Sequence, residues 1–277
     1  MSVFNEIFMR YALLAGCICG GLLSFLGVYV ILKRIVFVGI ALSEIAALGV
    51  AFGFFLGINP ELLSIVFAVL GVLFFWVPLH EKTLPHESIL GFAYCLAAAL
   101  IILVVAKSPM IEAAGVDLIS GNLLYVSPKD IISLFALACI VLAVNILLFK
   151  KMLFCSFDME TAQALGLKAK AYDFVIYLTI GISIALSVRV TGILFSFGSL
   201  IIAPMAALVL FRNLKIIFAA SILFTVLSVF AGLLISYHAD LPTAPTIVAI
   251  YCLVFILAGF YNFFRPIFVK FIFLFLY

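Results

Sequence analysis

The chain has 277 residues, of which 68% are hydrophobic and only 10% charged, and its mean hydropathy is +1.46. Globular chains carry roughly a quarter charged residues, so this composition excludes a water-soluble domain and makes lipid the solvent. The net charge of +3 is small and points to no nucleic-acid partner; where the charges sit says more than their sum.

Backbone polarity in a bilayer is satisfied only within helices or a closed barrel. Long apolar runs without two-residue alternation exclude the barrel. The expected fold is therefore all-α, a polytopic helical membrane protein forming one transmembrane domain over residues 1–277. A span needs roughly 20 apolar residues. On that rule the spans fall at 11–32, 36–56, 62–78, 89–106, 131–149, 174–188, 192–210, 216–237 and 246–260. The count drops by one if the 192–210 piece is broken or re-entrant. The aromatic tail from Arg265 to Tyr277 is too short to cross and is expected at the interface.

The first span contains Leu14–Cys17, LAGC, which looks like a lipoprotein cleavage box, but its apolar run continues to Leu32 and reads as a retained span. Its Gly16 and Gly20, and Gly49 and Gly53 in the second span, are GxxxG pairs, read as close packing within the bundle. Cys17, Cys19, Cys95, Cys139, Cys155 and Cys252 are scattered, with no zinc-like pairing or disulfide framework.

Glu44 lies inside the second span, where a carboxylate is costly unless it faces a cavity or a partner. The plain alternative is a carboxylate capped by a neighbouring hydroxyl such as Ser43. One turn earlier stands Ile40, so Glu44 has no acidic companion on its own helix face. His80 and His86, beside Glu81 and Glu87, read as solvated loop residues.

In mid-chain the apolar sequence is interrupted by Cys155–Lys170, CSFDMETAQALGLKAK. Asp158 can cap a short helix there and Gly166 can take a left-handed stop. Such an island either serves a soluble partner or is simply a solvated loop helix.

Two later segments carry helix breakers. Val190–Leu208 holds Gly192, Gly198 and Pro204, and His238–Thr246 holds Pro242 and Pro245. Irregular backbone at membrane depth is tolerated where it lines an aqueous path, so the pair suggests transport. Arg189, at the outer end of its span, is expected to pair with an acidic group or a carbonyl. His238 and Asp240 together would suit a borderline divalent cation, or His238 is merely interfacial.

Lys33, Arg34, Lys82, Lys150, Lys151, Lys168, Lys170, Arg212, Lys215, Arg265 and Lys270 fall on one side; Arg10, Lys107, Lys129 and Arg189 fall on the other. The richer side is cytoplasmic by the positive-inside rule, and it includes the island. The opposite side carries Glu6, Glu61, Glu112, Asp117, Asp130 and Asp240. The chain contains no HExxH, no nucleophile elbow and no GxxxxGK[ST], so any ATP-driven transport needs its ATPase on another polypeptide, and this chain is not itself read as an enzyme.

Several stretches, in order, resemble one family. They are FVGIALSEIAALGVAFGFFLGI, DLISGNLLYVSPKDI, FDMETAQALGLKAKAYD, RVTGILFSFGSLIIAPMAA and DLPTAPTIV, running from Val36 to Val248. Together they are similar to the permease subunits of ABC transporters that import zinc, manganese or iron. The resemblance implies the all-helical permease fold shared with cobalamin and siderophore importers, with eight or nine spans, in the inner (cytoplasmic) membrane. It implies a homodimer around one path, a cytoplasmic ATP-binding subunit and an extracytoplasmic metal-binding protein. No cofactor is implied for this chain; the divalent metal is cargo. Residues about 157–168 would be the coupling helix, with Asp158, Glu160, Ala162, Leu165 and Gly166 at matching positions. Gly192, Gly198 and Pro204 would mark the broken helix beside the path. Many members carry an aspartate and, one turn later, a histidine in the second span, where this chain has Ile40 and Glu44. That departure moves the path toward harder ligands, places manganese or iron ahead of zinc and leaves open a chelated or unusual substrate, with His238 and Asp240 available to compensate. An ion-coupled secondary transporter is the alternative, but it would want several intramembrane carboxylates or an inverted repeat.

Overall fold

A computed structural model describes residues 6–76, 85–107 and 123–275, with side chains through residue 264. His80, Glu81, Lys82, Glu112 and Asp117 lie outside the described residues, as does the beginning of the DLISGNLLYVSPKDI stretch. Among the described residues every regular element is helical. In chain order they are α1 Ile7–Leu32, α2 Val36–Leu56, α3 Pro60–Trp76, α4 His86–Ala106, α5 Pro128–Leu147, α6 Phe149–Phe157, α7 Met159–Ala164, α8 Ala169–Leu210, α9 Leu214–Ala239 and α10 Thr243–Phe275. A single 3-10 turn, Leu123–Tyr125, precedes α5. Seven of the described helices are long and apolar enough to cross a membrane, and α3 is shorter at 17 residues.

The longest element, α8, has 42 residues. A straight helix of that length would run about 63 Å, twice the hydrocarbon thickness. It is not straight, because Gly192 breaks it with φ 81° and ψ 168°, a region essentially closed to side chains. Contacts on either side show that the chain reverses there. Asp173 pairs with Lys33 at the C-terminal end of α1. Arg189 pairs at the other end, 2.7 Å from Glu61 and 3.4 Å from Asp130. Beyond the break, Leu200 is back against Gly27, only six positions from Lys33. The two arms of α8 thus run in opposite directions through the same thickness. A break in this stretch was expected, but it falls at Gly192 alone; Gly198 and Pro204 lie within the helical return arm.

Small residues set how closely the arms approach, as expected where lipid offers no hydrophobic drive for association. A Cβ at Gly16 would lie 2.8 Å from Val229, and one at Gly20 would lie 2.6 Å from Thr225. Both GxxxG pairs serve the interior of the bundle: Gly49 faces the backbone of Leu63 and Ser64, and Gly53 faces Pro60. Ser64 then ties α3 to both neighbours, its hydroxyl shared between the carbonyls of Ala185 at 3.0 Å and Ala46 at 3.1 Å. The closest approach is at Gly27, whose Cβ would meet the Leu200 carbonyl oxygen at 1.8 Å. Pro204 explains why that carbonyl is available, since it supplies no N–H to the oxygen four residues earlier.

Each rim of the first α8 arm carries a charge clasp. The Lys33–Asp173 pair is largely buried, at 11% and 13% side-chain exposure. Arg189 and Glu61 are more open, at 30% and 26%. Asp130 serves twice there, because it also completes a capping box with Ser127 at the start of α5.

Two expectations are revised. His238–Thr246 is not irregular at membrane depth; it is a tight connection in which Asp240 adopts a left-handed conformation and α10 begins at once at Thr243. Pro245 sits in the first turn of α10, where its missing N–H leaves no bond unmade. The aromatic tail is no separate segment either, since α10 runs without a break to Phe275. α1 likewise passes unbroken through Leu14–Cys17.

Candidate functional site

Glu44 sits near the middle of α2 and borders a pocket of about 280 Å³ between α2, α4 and the return arm of α8. Ile40 and Glu44 come from α2, Tyr94 and Ile101 from α4, and Ile193 and Phe197 from α8. Apart from Glu44 and Tyr94, the lining side chains are hydrocarbon. The Gly192 turn places Ile193 and Phe197 here, because the return arm starts beside the pocket.

The carboxylate has no hydrogen bond or ion pair among the described residues. Ser43 does not cap it, since that hydroxyl donates to the Gly39 carbonyl at 2.9 Å. A lone carboxylate in such surroundings wants either a proton or a cation from outside the chain. Among the described residues no cluster of three His, Cys, Asp or Glu side chains could hold a metal, so one protomer offers one charged ligand here.

His238 and Asp240 stand elsewhere, exposed at the C-terminal end of α9, and neither borders the Glu44 pocket. The His238 ring packs edge-on against Tyr237 at 5.7 Å between centroids. His86 opens α4 and Glu87 is exposed beside it.

The polar island forms the knob between α6 and α8. Asp158 caps α7, its Oδ1 accepting from the Thr161 amide at 2.9 Å. Gly166 ends the helix at φ 78°, with the Gly166 amide donating to Gln163 and the Leu167 amide to Ala162, the Schellman pattern. Hydrogen bonds from Thr161 hold the Asp158 carboxyl below the ordinary carboxylate range. Ala162 faces inward, packed with Cys155 and Ala169, while Glu160 is exposed. Leu165 is 68% exposed and Phe157 is 59% exposed, an apolar pair on a charged knob.

This arrangement has relatives. The model of the family described as the ABC 3 transport family matches residues 5–262. The chain belongs to that family. Within it, the chain is 30% identical over 235 residues to a Treponema pallidum protein named "Probable metal transport system membrane protein", covering 84% of this chain and 87% of the relative. It is 28% identical to the high-affinity zinc uptake system membrane protein ZnuB of Haemophilus influenzae, over 90% and 95% of the two chains. The fold superposes on that of PsaBC from Streptococcus pneumoniae in complex with Fab with a TM-score of 0.84, at 21% identity over 92% of both chains. Family membership favours an ABC permease over an ion-coupled secondary transporter.

Sequence reasoning found Glu44 because a charge inside an apolar run is conspicuous. It missed Tyr94, which reads as one more aromatic in a span, and Asp173, whose partner Lys33 is 140 positions away.

Proposed function

We propose that this chain is the membrane-spanning permease subunit of an ATP-driven importer of a divalent transition metal, manganese or iron ahead of zinc. The observation that carries the reading is the unpartnered Glu44 carboxylate in a pocket within the bundle of a chain whose relatives are named for metal transport. Manganese and iron are named for further relatives from Halalkalibacterium halodurans and Haemophilus influenzae. On this reading residues 1–277 act as one transmembrane domain in the cytoplasmic membrane. Two copies flank one path, so that two Glu44 carboxylates face the same ion and supply the charge that a single protomer lacks.

The α7 knob is cytoplasmic and docks on a separate ATP-binding subunit, with Leu165 entering an apolar recess and Asp158, Glu160 and Gly166 shaping the helix it is carried on. Buried Ala162 fixes that helix to its own chain rather than to the ATPase. Gly192 sets the turn beside the path, and Gly198 and Pro204 let the return arm pack closely against its neighbours. An extracytoplasmic metal-binding protein delivers cargo to the face carrying Arg189, His238 and Asp240, where the exposed His238 and Asp240 can take part in hand-over.

The test is reconstitution in proteoliposomes with the partner ATPase and binding protein. Manganese or iron should raise ATP hydrolysis, and Glu44→Gln should lower metal uptake by about tenfold or more while the complex still assembles. Equal ATPase rates with manganese, iron, zinc and no metal would remove the proposal.

A further inference from the structure

Tyr94 is the second polar side chain in the Glu44 pocket, and no imidazole or thiol lines that pocket among the described residues. Cys95, the next residue in the chain, is exposed and lies outside the lining. We infer that the Tyr94 phenol is a specificity-determining group for the cargo, joining the Glu44 carboxylate in an oxygen-only selectivity site for partly hydrated manganous ion. The inference rests on the importer reading and narrows it.

The chemistry follows from the donors. Divalent zinc binds most first-row donor sets more tightly than manganese does, so affinity alone cannot select manganese; ligand type and coordination number must. Zinc favours four-coordinate sites built from imidazole and thiolate, while carboxylate and water oxygens suit manganese. A pocket of about 280 Å³ has room for an ion with part of its water shell, and the Glu44 carboxylate and Tyr94 phenol are the polar partners such waters need. The carboxylate supplies charge. The phenol can accept from a water in the ion's shell or donate to the Glu44 carboxylate, and the hydrocarbon of Ile40, Ile101, Ile193 and Phe197 offers no competing donor. Tyr94 is partly buried on α4 and lines the pocket together with Glu44.

The experiment uses cells lacking other metal importers and expressing the full transporter, with radiolabelled manganese, iron and zinc supplied together. Tyr94→Phe keeps the ring and removes only the oxygen. It is expected to lower manganese uptake about tenfold, the scale of a lost hydrogen bond in a charged site. Tyr94→His supplies a nitrogen and is expected to move the manganese-to-zinc uptake ratio about tenfold toward zinc. Immunoblots of membranes normalise both variants for the amount of protein inserted. Wild-type rates and ratio in both variants overturn the inference, as does an equal loss of both metals with the ratio unmoved. Failure of the underlying reading looks different, because the wild-type transporter itself would then carry no manganese, iron or zinc.

Discussion

A methyl group at residue 27 would sit 1.8 Å from the Leu200 carbonyl oxygen, backbone that cannot swing aside as a side chain would. Gly27→Ala should therefore force α1 and the return arm of α8 apart. We expect a loss of at least about 1–3 kcal/mol, read as a lower thermal midpoint of the purified chain in detergent. Gly91→Ala is the matched control: a Cβ there meets nothing within 4 Å, and replacing a helical glycine should add about 0.5–1 kcal/mol. Equal midpoints for both variants would show that the close approach does not matter. The two glycines look alike in sequence, each in an apolar helix. What separates them is the free carbonyl that Pro204 leaves four residues earlier, and only the assembled bundle brings that oxygen to Gly27. Glu44 and Tyr94 divide in the same way. The carboxylate announces itself in an apolar run, whereas a tyrosine in a span is indistinguishable from packing until a pocket is seen beside it.

Among the elements, α7 was the most legible, because its cap and its stop are written in local residues, Asp158 and Gly166. It is also where a pH effect is expected. The Asp158 carboxyl titrates below its unfolded value of about 3.9, so its capping contribution is complete above that value. The contribution is lost as pH falls through the lower folded value. Amide-exchange protection of Met159–Ala164, corrected for intrinsic rates, should be flat from neutral pH down to about 5 and then fall. Asp158→Ala should show the unprotected rate at every pH, and a variant as protected as the parent would dismiss the cap. The α8 reversal was only half legible. Glycine and proline in an apolar run announce a break, but they do not say whether the chain continues or turns back. The direction is settled by long-range pairs, Lys33 with Asp173 and Arg189 with Glu61, which no local pattern contains. Conversely, Pro242 and Pro245 look like breakers in sequence, yet they sit at the start of α10, where proline costs nothing.

At the scale of the molecule, composition and the lack of two-residue alternation sufficed for an all-helical membrane fold, since a bilayer admits only helices or a closed barrel and the pattern rules out the barrel. The bundle is organised around α8, whose arms together touch α1, α2 and α3 and whose first arm is fastened at both rims. α4 and α5 are mostly exposed by comparison, as is α10, so lipid or a second copy meets those faces. The reversal at Gly192 has an arithmetical consequence. Glu61 meets Arg189 at one rim and Trp76 packs on Phe174 beside Asp173 at the other, so the short α3 crosses as well. With α3 added to the seven longer helices and the two arms of α8 counted separately, nine rods traverse the bilayer among the described residues, and odd parity sets the chain's extremities on opposing shores of the membrane. A phosphatase reporter spliced ahead of Ile7 and a fluorescent protein grafted after Phe275 should each light up, because each works in the compartment it would reach. Two reporters sharing one compartment would mean that the polypeptide carries straight on at that glycine instead of doubling back.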